Sequence, residues 1–358
     1  MSRFHRLIAW ACLMLASTLV LADDGEASQC EESPPGIAAL ARHPELYIFH
    51  FENDLFIGTD SDYTNGVKFS WVSANLRDYT HDPCLPNWVR QLNRLLENVH
   101  PGKYTSRNMV ITGGQSMFTP RDRNRTDPIL NDRPYAGWLY LGLGYNARDA
   151  RQMDTVDVNF GVVGPAALAR QTQEFIHDMR GIPRFNGWSN QLGNELGVQI
   201  VAERKNRVWN ESVSGLQFDA ITHYGASLGN IRTYLNAGLE LRAGNRIPND
   251  FGTSPIRPAG DSNAPLEGPV TRRFSDGGLH AFLSVDARAV AHDIFLDGNT
   301  FSSSHSVDKK HFVGDLSTGI AWQWQGGKIT YARYVRSKGF TTQESAHAFG
   351  SITLSLEY

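Results

Sequence analysis

The chain has 358 residues, with 34 lysines and arginines against 37 aspartates and glutamates, and 41% of its residues are hydrophobic. This composition is that of a folded protein, and the absence of excess positive charge argues against a nucleic-acid partner. A mean hydropathy of −0.35 excludes a helical membrane bundle. It does not exclude a transmembrane β-barrel, whose strands alternate apolar and polar residues.

The N-terminus is predicted to be a secretory signal peptide that occupies residues 1–22. Arg3 and Arg6 precede an apolar run over residues 7–22, which ends in residues that suit a signal peptidase. An uncleaved membrane anchor is the alternative, but the run is short for a bilayer crossing. No later apolar stretch is long enough to cross as a helix. We therefore assign residues 23–44 to an exported lead segment and residues 45–358 to the main domain.

Two cysteines remain after removal of the signal peptide, which contains Cys12. In an oxidising compartment we favour one disulfide between Cys30 and Cys84, with two unpaired thiols as the alternative. Neither cysteine belongs to a pair with metal-ligand spacing, so the sequence predicts no zinc site.

Alternation with period two runs through the rest of the chain. Between residues 231 and 243 the odd positions are apolar apart from Thr233, whereas the even positions include Arg232, Glu240 and Arg242. Such a strand has one apolar face and one polar face. About twelve segments of this kind begin near Glu45, Thr64, Arg107, Ala136, Asp154, Gly193, Val208, Ile231, Gly277, Asp315, Lys328 and His347.

The length of these segments favours a membrane barrel. Several have about 10 to 15 residues, which exceeds the typical soluble strand and matches a tilted crossing of a bilayer. One segment ends in Trp322 and Trp324, and the last segment places its apolar residues and the terminal Tyr358 on one face. We therefore predict an all-β fold, a transmembrane antiparallel barrel of about 12 strands. A secreted β-sandwich, whose strands also alternate, is the alternative.

One segment interrupts the alternation and is predicted to be a helix. Residues 166–177 are rich in alanine, and Pro165 precedes them at a first-turn position. Gln173 and His177 are four residues apart and therefore project from the same face. A helix that interrupts a barrel lies at its rim or in its lumen, where a site would be.

Three polar clusters contain groups that can carry chemistry. The first spans residues 51–56 and 59–66 and includes Asn53, Asp54 and Thr64; the second spans residues 132–138; the third joins Gln173 and His177 to residues 187–195. Each cluster alone has an ordinary interpretation as a turn, a strand start or a helix surface. If they share a rim, an imidazole could act as a base near carboxylate oxygens that suit Ca²⁺.

Taken together and in this order, these motifs resemble the lipid A 3′-O-deacylase family of Gram-negative outer membranes. The Asn-Asp pair, the Asp-Tyr-Thr-x-Gly stretch and the Gln-x-x-x-His…Gly-Trp-x-x-Gln spacing carry the resemblance, which covers about residues 45–358. It implies a calcium-dependent outer-membrane esterase that removes the 3′-linked acyloxyacyl chain from the lipid A of lipopolysaccharide. It also implies a site between the barrel wall and the surrounding lipid.

The resemblance assigns roles to five residues. His177 would be the general base that activates water, and Gln173 would orient the imidazole or the substrate. Asp54 would help to hold Ca²⁺ with Asn53 beside it, and Thr64 matches a hydroxyl position near that centre. A cation that polarises the ester carbonyl makes a serine nucleophile unnecessary.

The chain departs from the family pattern at two positions. Arg125 is the nearest match to a family lysine, and it is our candidate substrate-binding residue, although a guanidinium differs from an ammonium in shape. Pro183 stands where the family has a glutamate six residues after the histidine, and Glu174 and Glu195 are possible replacements. These departures affect substrate detail and rate more than the class of reaction.

Two other functions stay open from sequence. A phospholipase of the same membrane would need the same cation and base. A non-catalytic pore, or a barrel that binds lipopolysaccharide, would need neither. For Asp60 and Asp62 we prefer a solvated turn to a role in binding metal.

Overall fold

The computed structural model describes residues 46–54, 62–76, 78–82, 85–102, 104, 106–253, 277–324 and 326–357. The predicted signal peptide, the lead segment, Cys30, Cys84, Asp60 and Tyr358 lie outside the described residues. The side chain of Asp62 also lies outside them.

The described chain forms a closed antiparallel β-barrel of twelve strands. Each strand pairs with the next, and the first pairs with the last, which closes the barrel. The strands are β1 (Leu46–Asn53), β2 (Asp62–Val72), β3 (Ser106–Thr119), β4 (Ala136–Arg148), β5 (Gln152–Val163), β6 (Glu195–Val213), β7 (Leu216–Gly229), β8 (Arg232–Gly244), β9 (Gly278–Asp293), β10 (Phe312–Trp324), β11 (Gly327–Arg336) and β12 (His347–Glu357).

The predicted fold and strand count are confirmed, but the predicted strand start near Val208 is wrong. β6 continues through Val208 to Val213, and a bulge between Arg207 and Trp209 absorbs the break in alternation. The chain turns later, at Ser214 and Gly215, whose φ angles of 52° and 83° are left-handed. A left-handed pair of residues is what a two-residue hairpin turn requires.

Three α-helices accompany the described strands: α1 (Asn87–Leu95), α2 (Ala169–Arg180) and α3 (Ile294–Asp297). The predicted helix is confirmed as α2, although it begins at Ala169. Pro165 instead opens a separate 3₁₀ turn, and Leu168, with a φ of 58°, breaks the two apart. Across the described ranges, no helix combines the length and the apolar character needed to cross a membrane.

The alternating strands place their polar faces inside the barrel. In β8, Glu240 and Arg242 are 3% exposed, whereas Leu235 is 63% and Leu241 is 45% exposed. A β-sandwich would bury the leucines and expose the charges. An apolar outer wall around a polar lumen is the arrangement of a transmembrane barrel. The sandwich alternative is therefore excluded.

The two ends of the barrel differ, and we name them here. At the terminal rim β1 begins and β12 ends; at the opposite rim, which we call the loop rim, β1 ends and β12 begins. Aromatic side chains fill the lumen near the loop rim, where Phe118 stacks on Phe295 of α3 with ring centroids 4.2 Å apart. Close packing in the mouth of the lumen favours a filled barrel over an open pore.

Ion pairs fill the lumen near the terminal rim. Arg242 binds the carboxylate of Asp219, with Nε 2.8 Å from Oδ1, and also binds Asp250. The Nζ atom of Lys328 lies 2.6 Å from Oδ2 of Asp250. Burial by itself would raise the pKa of Asp250, but the two cations hold it well below its ordinary value. Asp250 thereby fastens the segment after β8 inside the barrel.

Candidate active site

Helix α2 lies on the outer face of the barrel wall at the loop rim. Gly137 in β4 shares its face with Leu139 and Leu141, which are exposed on the outside. A Cβ atom on Gly137 would come within 2.5 Å of the Ala169 Cβ atom, so only glycine permits this approach. Nε2 of Gln115 donates to the carbonyl oxygen of Ala167 at 2.6 Å. The wall and the helix are thus in direct contact.

An aromatic cluster holds the other side of the helix. Trp188 is 1% exposed and packs against Tyr135, with ring centroids 5.1 Å apart. Nε1 of Trp188 donates to Oε1 of Gln173 at 2.7 Å, which fixes the orientation of the Gln173 amide. Nε2 of Gln173 is buried and has no hydrogen-bond partner among the described residues. Burial raises the pKa of Tyr135 to about 12, so its phenol remains neutral.

The imidazole of His177 is held in one tautomer. The helix ends at Gly181, whose φ is 66°, and the chain folds back so that the amide of Ile182 donates to the His177 carbonyl at 2.9 Å. Nδ1 of His177 then lies 2.8 Å from the carbonyl oxygen of Pro183. Because a carbonyl can only accept, Nδ1 carries a proton, and whenever the ring is neutral the lone pair is on Nε2. That is the arrangement of a general base.

Neither predicted replacement for the family glutamate is engaged with this imidazole by a described hydrogen bond. Glu174 forms an ion pair with Arg170, with Oε1 2.7 Å from Nε. Glu195 accepts hydrogen bonds from Asn230, Asn299 and two main-chain amides of the segment after α3, and thus joins loops of the rim. The described hydrogen bond of the imidazole is made with the main-chain carbonyl of Pro183.

Asn53 and Thr64 lie on the outer face of the same part of the wall. Asn53 pairs in register with Asn65, and Asn65 pairs with Met117. Met117 belongs to the cluster that packs under α2. A bulge between Tyr63 and Asn65 interrupts the register of β2, and Oγ1 of Thr64 lies 2.7 Å from Oγ1 of Thr119. Bulges commonly re-aim a side chain in this way.

Asp54 directly follows β1 at this rim and is fully buried. Together with Asn53 and Thr64 it offers hard oxygen atoms, which are the ligands that Ca²⁺ prefers. In the part of the chain that the structure describes, no three histidine, cysteine or carboxylate side chains cluster as a metal site would. These three described donors therefore fit Ca²⁺ in kind, with one carboxylate among them.

Arg125 lies in the loop between β3 and β4 and is exposed. This loop is fastened to the chain after α2, because the amide of Asn186 donates to the Arg123 carbonyl at 2.9 Å and Nδ2 of Asn190 donates to the Thr126 carbonyl at 2.7 Å. The loop that carries Arg125 thus borders the segment that carries the Pro183 carbonyl.

Sequence reasoning missed several parts of the site. Thr119 and the Pro183 carbonyl gave no signal, since one is an ordinary strand residue and the other is main chain. Trp188, Tyr135 and Gly137 belong to motifs that we singled out, but their roles in seating α2 were not predicted.

A Gly-x-Ser-x-Gly match at residues 225–229 is not a nucleophile elbow. Ser227 lies within the extended strand β7 and is fully buried, whereas an elbow needs a strand-to-helix turn. Its Oγ donates to the Arg232 carbonyl at 2.9 Å and accepts from Nε2 of Gln199 at 2.8 Å. The serine is therefore part of the packing of the barrel.

The fold and this site define a class: an outer-membrane-type β-barrel with a histidine site on its outer wall. The family model described as "Outer membrane protein LpxR" matches residues 7–358. The chain therefore belongs to the LpxR family of outer-membrane proteins, and the resemblance drawn from the sequence motifs is confirmed.

Among the solved structures similar to this chain, one has a TM-score above 0.5 and supports the fold. LpxR from Salmonella typhimurium has a TM-score of 0.68 at 16% identity, covering 88% of this chain and 100% of that chain. The beta domain of the Bordetella autotransporter BrkA has a TM-score of 0.41 at 7% identity, covering 88% of this chain and 100% of that chain. No curated protein sequence matches the chain.

Proposed function

We propose that this protein is a Ca²⁺-dependent lipid A 3′-O-deacylase of the outer membrane. The observation that carries the proposal is the His177 imidazole, which the Pro183 carbonyl holds in the tautomer of a base on the lipid-facing side of the barrel wall. A soluble esterase would have no reason to place its base there, whereas an enzyme that acts on a membrane lipid would.

The surface around the site suits acyl chains. Phe175 is 62% and Met179 is 69% exposed, and they lie one turn apart on α2; Leu141 on the neighbouring wall is 63% exposed. In a bilayer these side chains would contact hydrocarbon. An ester at the junction of a sugar and its fatty acids could then approach the site from the membrane side.

The reaction is a hydrolysis. Nε2 of His177 takes a proton from water, and the resulting hydroxide attacks the carbonyl carbon of the 3′ ester. The tetrahedral intermediate collapses by breaking the bond to the sugar oxygen, and the imidazolium returns its proton to that oxygen. The products are a free acyloxyacyl acid and a 3′-hydroxyl group. A positioned base of this kind contributes about 10²- to 10⁴-fold in rate.

Other residues bind and orient. Nε2 of Gln173 is a buried donor one turn from His177, and it would donate to the ester or to the water. Asp54, Asn53 and Thr64 would hold Ca²⁺, which when bound polarises the carbonyl and stabilises negative charge on its oxygen. Arg125, exposed on the loop beside the site, would bind the anionic groups of lipid A, because guanidinium groups pair well with phosphates.

Mass spectrometry of lipid A tests the proposal. We expect expression in a Gram-negative host to remove the mass of the 3′-acyloxyacyl group, and His177→Asn to abolish that loss. Phospholipids from the same cells are the comparison. Turnover of glycerophospholipids without turnover of lipid A would instead establish a phospholipase, and ion conductance without any ester cleavage would establish a pore.

A further inference from the structure

Helix α1 is attached to the outside of the barrel at the terminal rim. Oδ1 of Asn93 accepts a hydrogen bond from the Tyr145 hydroxyl at 2.9 Å, and Val89 packs in the cluster that contains Tyr145 and Met109. Tyr145 shares its face of β4 with the exposed Leu141, so this is the outer face. The helix therefore lies against the wall on the same side as the membrane.

The helix presents three different sectors around its axis. At 3.6 residues per turn, each residue rotates about 100° from the last. Val89 and Asn93 face the wall. Trp88 and Leu95 are 62% and 81% exposed, lie within about 20° of each other, and project about 100° away from Val89. The exposed Arg94 projects about 120° from Trp88 on the other side.

This angular order suits a helix that lies where the wall of a protein meets the surface of a membrane. A helix that lies in the plane of the membrane contacts the wall sideways and the acyl chains roughly at right angles to that direction. Its remaining sector faces water and headgroups. Interfacial helices carry tryptophan and leucine on the buried sector and basic residues on the polar sector.

The helix also lies level with tryptophans near the ends of strands at the terminal rim. Trp71 lies near the end of β2 on the outer face, and it pairs with Ile111, two residues from the Met109 anchor of α1. Around the same rim, Trp322 and Trp324 end β10 with ring centroids 5.2 Å apart. Rings of aromatic residues at strand ends mark the headgroup level of transmembrane barrels.

We propose that α1 is an interfacial anchor that inserts Trp88 and Leu95 into the lipid leaflet at the terminal rim. The occupant of this exposed face is the phospholipid bilayer itself, because the face continues the apolar outer wall of the barrel. Arg90 and Arg94 then lie at the level of anionic headgroups. The anchor fixes how deeply the wall of β3 and β4 sits in the membrane, and it does so whether or not the protein is an esterase.

Spin labelling in bilayers tests this assignment. In a background with Cys30→Ser and Cys84→Ser, nitroxide labels are placed by Leu95→Cys and, as the matched exposed control, by Arg94→Cys. The protein without its predicted signal peptide, and therefore without Cys12, is reconstituted into vesicles of phosphatidylethanolamine and phosphatidylglycerol. We expect the label at position 95 to collide with oxygen and to be shielded from a water-soluble nickel complex. The ratio of its collision rate with oxygen to its collision rate with the nickel complex should be several-fold above the ratio at position 94.

Two results would overturn the proposal. Equal access of the nickel complex to both labels would place Leu95 in water. Shielding of Leu95 from both probes would mean that protein, such as a second copy of the chain, covers it. An independent check uses tryptophan fluorescence in protein that keeps its native cysteines. The contribution of Trp88 is the difference between the fluorescence of the native protein and that of Trp88→Phe. Brominated acyl chains should quench this contribution, and lack of quenching would contradict insertion.

Discussion

Substitutions of His177 can test separately the basic nitrogen of the imidazole and its hydrogen bond to the Pro183 carbonyl. In His177→Asn the side-chain amide can still donate to the Pro183 carbonyl, as Nδ1 does now at 2.8 Å, but no basic nitrogen remains. We expect kcat to fall about 10²- to 10⁴-fold, which corresponds to about 2.7 to 5.4 kcal/mol in the activation barrier. The KM value should change little, because the substrate contacts remain.

His177→Gln is the complementary variant. Its amide reaches toward the position of Nε2 and gives up the bond to the Pro183 carbonyl. We expect the same loss of kcat, together with a loss of about 1 kcal/mol in the free energy of unfolding from the buried hydrogen bond. Comparing the two variants therefore shows whether the rate depends on the base or on the bond.

A matched control comes from His305, which also binds a carbonyl at the loop rim. Its Nε2 lies 2.7 Å from the carbonyl oxygen of Asp132. His305→Gln should retain kcat within about threefold of the native value, since a hydrogen bond of this kind affects stability and not the reaction. The assay is release of the acyloxyacyl acid from lipid A in detergent micelles, followed by mass spectrometry, with folding checked by heat-modifiable mobility on gels. If folded His177→Asn hydrolyses lipid A at a rate close to that of the native protein, His177 is not the base.

Three further predictions concern other parts of the loop rim. Pro183→Ala keeps the main-chain carbonyl that binds the His177 imidazole, so we expect hydrolysis within about threefold of the native rate; a loss as large as about 100-fold would mean that the proline ring itself is required. Asp54→Asn removes a carboxylate of the proposed calcium site, and the Ca²⁺ concentration needed for half-maximal activity should rise by at least about tenfold, as measured by titration from chelator; an unchanged titration would remove Asp54 from the site. Burial by itself would raise the pKa of Asp297, but hydrogen bonds from His292 and Lys309 lower it to about 2. Since the unfolded value is about 3.9, the stabilisation of the native protein over Asp297→Asn should be complete above about pH 4 and should disappear as the pH falls toward 2. A stability difference that stays unchanged down to pH 2 would contradict this.

Much of the architecture was predictable because it depends on the local periodicity of polar and apolar residues. A strand repeats every two residues, so the polar and apolar faces of β8 or β12 could be identified without knowing their neighbours. The composition of residues 166–177 was likewise enough to predict α2. The boundary near Val208 failed for the opposite reason, because a bulge shifts the alternation inside one continuous strand and is set by pairing with β7.

By itself, the sequence determined the alternating strands, the helix with Gln173 and His177, and the motifs that place the chain in its family. Only the tertiary structure decided that the apolar faces point outward, because alternation is the same for a sandwich and for a barrel. It also decided that α2 lies on the outer wall, since that position depends on the close approach at Gly137. The partner of His177 could not be predicted for a physical reason: it is a main-chain oxygen, which every residue possesses, and only the fold of the chain after Gly181 brings this one to the imidazole.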